Sequence, residues 1–88
     1  MNIVFNSGMF SQPLKEAIEA KLSESRLISN SKLERLDWYM EKNEIGHFKV
    51  AVNTGSKYIY DIREDAYEAA RNTVKKLEAH LRKQKEEH

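Results

Sequence analysis

Between Lys32 and Lys42, Leu36, Trp38 and Met40 alternate with Arg35, Asp37, Tyr39 and Glu41, a period of two that fits a strand with one apolar and one polar face. No other feature limits the possible folds as much. A one-sided strand cannot stand alone; it needs partners along its edges and a cover over its apolar face. The partners follow directly. After Asn43-Glu44-Ile45-Gly46, the residues Phe48, Val50 and Val52 alternate with Lys49, Ala51 and Asn53, and after Asn53-Thr54-Gly55-Ser56 comes the run Tyr58-Ile59-Tyr60-Asp61-Ile62. Both connections carry Gly and Asn, which tolerate the positive φ of tight turns. In the last strand the apolar Ile62 and its same-parity neighbours Tyr58 and Tyr60 are expected to point inward. A further strand is predicted at Ile3-Val4-Phe5, closed by Asn6-Ser7-Gly8.

The cover comes from two segments in which the period changes. From Leu14 to about Leu27 the apolar residues Leu14, Ala17, Ile18 and Leu22 fall on one helical stripe. Ser11 is the expected N-cap and Pro13 sits in the first turn, where its missing N–H is not needed. The run Ile28-Ser29-Asn30-Ser31 ends this helix, since its side chains compete for backbone hydrogen bonds. In the last segment Asp65 and Glu68 are spaced as a capping box. Behind them Tyr67, Ala70, Val74, Leu77 and Leu81 step along one stripe, and Arg82 to His88 are expected to project past the core.

The order is therefore β-α-β-β-β-α. A strand, helix, strand start requires a parallel pair, and short turns make antiparallel hairpins. The expected fold class is α+β: a four-stranded mixed sheet with two helices packed on one face, in a single domain over residues 1–88. The other sheet face stays wet, carrying Arg35, Asp37, Tyr39, Lys49, Asn53, Asp61 and Arg63.

Catalytic chemistry finds no foothold. With no cysteine there is no thiolate nucleophile, thiolate metal site or disulfide frame, which suits a cytoplasmic chain. His47, His80 and His88 have no metal-ligand spacing, the glycines form no phosphate cradle, and no GxSxG elbow occurs. Neither an enzyme nor a cofactor is expected. The first residues have no basic region and too short an apolar run for a signal peptide or membrane span, so no membrane partner is expected.

Charge is informative only locally. Fifteen Lys and Arg against fourteen Asp and Glu give +1 overall, yet residues 71–85 hold Arg71, Lys75, Lys76, Arg82, Lys83 and Lys85 against the single acid Glu78. At about 100° per residue from Tyr67, the core stripe falls at about 280–360°, with Arg71, Arg82, Lys75, Lys83 and Lys76 at about 40–180°. One-sided cation suits a nucleic-acid backbone, although cations near a helix C-terminus also complement its dipole. The tyrosines suggest a base-stacking platform less well, because by parity all but Tyr39 are expected in the core.

The stretch Glu64-Asp65-Ala66-Tyr67-Glu68-Ala69-Ala70, followed by Val74-Lys75-Lys76-Leu77-Glu78-Ala79-His80-Leu81-Arg82-Lys83-Gln84-Lys85, resembles the signature of the ribosome hibernation-promoting factors. These are the ribosome-associated inhibitor or sigma-modulation proteins. The resemblance implies the same β-α-β-β-β-α fold and binding to the small ribosomal subunit, in the channel for mRNA and tRNA, with translation silenced as growth slows. Carried over by position, Lys75, Lys76, Arg82, Lys83 and Lys85, with Arg71, are the implied rRNA-binding residues. Tyr67 and Asp65 match family positions and are read as a core and helix-packing residue and as the N-cap. The first helix is neutral here, with Lys15, Lys21 and Arg26 against Glu16, Glu19 and Glu24, so the last helix carries most of the electrostatics. With no acidic tail and no extra dimerising domain after His88, a short-form member is expected. A protein-binding or self-associating module, with the wet sheet face or edge strand at work, and a double-stranded RNA-binding domain remain as alternatives; the oligomeric state is open.

Overall fold

A computed structural model describes residues 1–86. Its elements are β1 (Asn2–Phe5), α1 (Gln12–Glu24), α2 (Arg26–Ser29), β2 (Arg35–Lys42), β3 (Phe48–Asn53), β4 (Tyr58–Arg63) and α3 (Ala66–Glu86). β1 runs parallel to β2, whereas β2–β3 and β3–β4 are antiparallel, in the sheet order β1-β2-β3-β4. The mixed sheet and the α+β class are as expected, with one helix more.

That extra helix arises at Ser25. The first helix was expected to continue to about Leu27, but Ser25 takes an extended conformation, φ −84° and ψ 115°, which breaks the run. Its hydroxyl accepts from the Ile28 N–H at 3.3 Å and donates to Glu78 Oε2 at 2.9 Å. A serine that caps the next turn and also bonds α3 makes ending α1 cheaper than continuing it. The entry to α1 is as expected: Ser11 Oγ accepts from the Leu14 N–H at 3.3 Å and Pro13 lies in the first turn.

The core lies between the sheet and the helices. Leu14, Ile18 and Leu22 of α1, Ile28 of α2, Leu36, Trp38 and Met40 of β2, Val50 and Val52 of β3, and Ile59 of β4 meet Ala69, Ala70, Val74 and Leu77 of α3. α3 presents small residues to the sheet, so its backbone approaches closely. Thr73, fully buried, has its Oγ1 2.8 Å from both the Ala69 and Val50 carbonyl oxygens, tying α3 to β3. This roll of the helix corrects the expected stripe: Ala69 and Thr73 are in the core, while Tyr67, at the far edge of the buried stripe, is 47% exposed. At the start of α3 the Asp65 carboxylate accepts from the Tyr67 N–H at 3.3 Å. That N–H belongs to the second helical residue, and neither the bond from the Glu68 N–H to Asp65 nor the reciprocal bond from the Glu68 side chain is present among the described residues, so Asp65 caps α3 alone and the expected capping box does not form.

β4 is turned over relative to expectation. Tyr58, Tyr60 and Ile62 face outward and are 46%, 46% and 43% exposed, whereas Ile59 and Asp61 face the helices and are buried. The hairpin decides this. Thr54 and Lys57 close the turn, pairing Asn53 with Tyr58, Ala51 with Tyr60 and Lys49 with Ile62, and directly paired residues share a face. Because Val50 and Val52 must point to the core, Ile59 and Asp61 point there too. Arg63, expected on the wet face with Asp61, lies opposite Phe48 at the exposed end of the helix side. Two glycines permit the turns: Gly46 and Gly55 have φ of +84° and +98°.

Candidate nucleic-acid interface

The outer side of α3 carries the cationic residues, and its helical geometry sorts them into two rows. Arg71, Lys75 and Arg82 lie within about 40° of arc, forming one ridge about 16 Å long from Arg71 to Arg82. All three are exposed. Lys83 and Lys76 lie on the flank toward β4, about 100° away. Among the described residues, the ion pairs are Arg35–Asp37, His47–Glu64, Lys49–Glu41, Arg63–Asp61 and Lys76–Asp61. Arg71, Lys75, Arg82 and Lys83 take part in none of them.

Lys76 is different. Its ammonium donates to Asp61 Oδ1 and to the Tyr60 carbonyl, each at 2.9 Å. Asp61 is the buried carboxylate that the inverted β4 places under α3, and its other oxygen accepts from Arg63 Nε at 2.9 Å and Asn72 Nδ2 at 3.2 Å. Burial pushes the Asp61 pKa up, but the hydrogen bonds from Lys76, Arg63 and Asn72 outweigh it and hold the carboxyl below its ordinary value. Lys76 thus neutralises a charge within the fold, although its side chain remains 52% exposed. Lys85 continues α3, with only its backbone described; His88 lies outside the described residues.

The fold adds a cation from elsewhere in sequence. Lys21 of α1 lines one groove with Arg71 and Lys75, whose acids are Glu24 and Glu78. The Glu78 carboxylate is turned to Ser25, leaving Lys21 beside the α3 ridge. No local pattern near Lys21 signals this, because it depends on how α1 packs on α3.

The open sheet face is the second chemically distinct surface. Tyr39, Ala51 and Tyr60 pair in one row across β2, β3 and β4. Ala51 faces outward yet is 1% exposed beneath its neighbours. Lys49 Nζ sits 4.7 Å from the Tyr60 ring centre and 5.2 Å from that of Tyr58, close enough for cation–π attraction. The Tyr58 hydroxyl raises its pKa, burial opposes that, and Glu41 adds a smaller rise. On the β2 side, Arg35 holds the Asp37 carboxyl below its ordinary pKa, helped by Asn6.

Among the described residues, no three His, Asp or Glu side chains are grouped to hold a metal ion, and no helix is long and apolar enough to cross a membrane.

A small α+β domain that lays a cation-bearing helix across a four-stranded mixed sheet, leaving the far sheet face open, is the class these features define. The family model described as sigma 54 modulation protein / S30EA ribosomal protein matches residues 1–88, and the chain belongs to that family. A ribosomal subunit interface protein from Coxiella burnetii has the same fold. It has a TM-score of 0.70 at 18% identity, with 96% of this chain and 94% of that chain covered. The N-terminal domain of Thermus thermophilus Protein Y gives a TM-score of 0.65, also at 18% identity, over 94% of this chain and 98% of that one. No curated protein sequence matches.

Proposed function

We propose that this chain is a non-enzymatic ribosome hibernation factor of the cytoplasm, which binds the small ribosomal subunit through α3 and sterically excludes mRNA and tRNA. The observation that carries this reading is the exposed ridge Arg71–Lys75–Arg82, flanked by Lys83 and joined by Lys21, on a chain whose family match runs its full length. Cations along a rigid helix neutralise rRNA phosphates and release their counterions, while the bulk of the domain occupies the channel. Lys76 contributes by fixing α3 on β4 through Asp61 and presents its remaining exposed surface to the same flank. Lys85 extends the cationic series in sequence. No cofactor or small-molecule substrate enters this mechanism.

The test is co-sedimentation of the purified chain with small subunits at low salt, comparing wild type with the quadruple variant Arg71→Glu, Lys75→Glu, Arg82→Glu, Lys83→Glu. All four residues are exposed and outside the described ion pairs, so the variant should retain its fold by circular dichroism. Wild type is expected in the subunit fraction and the variant at the top of the gradient. A folded variant that still travels with the subunit overturns the assignment of α3.

A further inference from the structure

The facing of β4 places on the outer sheet face a group of tyrosines that lies apart from the Arg71–Lys75–Arg82 ridge. Tyr58 and Tyr60 are each 46% exposed and Tyr39 is 41% exposed. The Tyr58 and Tyr60 ring centres are 5.9 Å apart. Lys49 lies against both rings, and Lys76 reaches to 6.0 Å of the Tyr60 ring from the other side of the edge strand. A shallow surface lined by Lys57, Tyr58, Tyr60, Lys76 and His80 wraps from β4 onto α3. A concavity on the open face adds the amide side chains of Asn6 and Asn53 beside Tyr39, Tyr58 and the Lys49–Glu41 pair.

The composition of this surface selects its occupant. Among the outward residues of β2, β3 and β4, only Ile62 is aliphatic beyond alanine; the rest are tyrosine, charged or amide-bearing. An apolar protein surface would find little to bury against. Flat rings interleaved with ammonium groups match the alternation of base and phosphate along an unpaired strand, as stacking platforms do in other proteins. A duplex keeps its base faces stacked internally and cannot use these rings. Of the acids on this face, Glu41 is paired with Lys49 and Asp37 with Arg35. With these pairs neutral, Lys57 at the β3–β4 turn is the cation of this face outside the described ion pairs, and the surface runs on to the flank of α3 that carries Lys83.

We propose that the open sheet face is a second RNA-contacting surface, on which Tyr58 and Tyr60, with Tyr39, stack unpaired bases while Lys57, outside the described ion pairs, holds an adjoining phosphate, aided by the exposed sides of Lys49 and Lys76. It extends the reading of α3 as a phosphate-binding helix by adding a single-stranded segment gripped across the β4 edge, and it is testable without ribosomes.

The probe is a fluorescently labelled oligoadenylate of about ten nucleotides, within the span such platforms cover, followed by anisotropy with the full chain. A blunt RNA duplex of the same length serves as comparison. Wild type is expected to prefer the single strand. Tyr58→Ala with Tyr60→Ala should weaken that binding by about tenfold or more, since each lost stack costs this order. Tyr58→Phe with Tyr60→Phe, which keeps the rings, should bind within about twofold of wild type, because stacking uses the ring face. Failure of wild type to bind the single strand, equal binding by the alanine pair, or preference for the duplex overturns the proposal. So does a dimer in light scattering that the alanine pair disperses, since the face would then be self-associating. The α3 quadruple variant keeps every tyrosine and the alanine pair keeps α3, so subunit sedimentation and oligonucleotide anisotropy fail separately.

Discussion

Replacing Asp61 with Asn tests the arrangement that fixes α3 on the sheet. The wild-type carboxylate is nearly buried and accepts from Lys76, Arg63 and Asn72. Removing one member of a fully buried pair costs about 3–5 kcal/mol because the partner charge is stranded. Here the Lys76 and Arg63 side chains are 52% and 49% exposed and can turn to water. The loss should be about 2 kcal/mol, about 1 kcal/mol for each of the two contacts that pass from a charged to a neutral acceptor. With an unfolding entropy of about 2.1 cal/mol/K per residue over 88 residues, that corresponds to a fall in Tm of about 11 °C. The pH dependence gives an independent check. The carboxyl pKa is depressed on folding, so its stabilising contribution is complete above the unfolded value of about 3.9 and disappears as pH falls through the lower folded value. Thermal melts by circular dichroism should therefore show the full gap between wild type and Asp61→Asn at pH 7, narrowing below about pH 4. A gap of under about 2 °C at pH 7, well short of the charged-bond scale, would refute the reasoning. So would one that stays constant down to pH 2.

Two further expectations follow from the same geometry. Subunit affinity should fall by about 10²-fold between 50 and 200 mM salt if four cations displace counterions; a binding curve flat in salt would show that phosphate contacts do not hold the complex. Thr73→Val keeps the shape of the buried side chain but removes its bond to the Val50 carbonyl, and should cost about 1 kcal/mol; an unchanged melt would show that this hydroxyl does not tie α3 to β3.

The element order was legible because most boundaries carry local chemistry: Ser11 and Pro13 at the start of α1, Gly46 and Gly55 in the turns, and Asp65 before α3. The end of α1 was less so, since Ser25 breaks the helix by reaching Glu78, far along the chain. The phase of β4 was misread for a related reason. An apolar Ile62 outweighed a buried Asp61 whose partners Asn72 and Lys76 lie on the next helix. The hairpin held the missing signal: with Asn53 outward and paired to Tyr58, parity turns Tyr58 and Tyr60 outward as well. The α3 ridge was readable from spacing alone, whereas the approach of Lys21 and the use of Lys76 by Asp61 required tertiary packing.

The parallel pairing of β1 with β2 has a temporal consequence. Asn2 finds Arg35 only after the whole α1–α2 crossover has been laid down, whereas β2, β3 and β4 close through short turns and α3 follows directly. Closing the longer loop carries the larger entropic penalty, so the hairpin meander with its trailing helix is the natural nucleus. β1, which precedes the meander in the chain, is then the last strand to dock, and its edge amides, bonded on one side only, are the natural place for hydrogen exchange to begin.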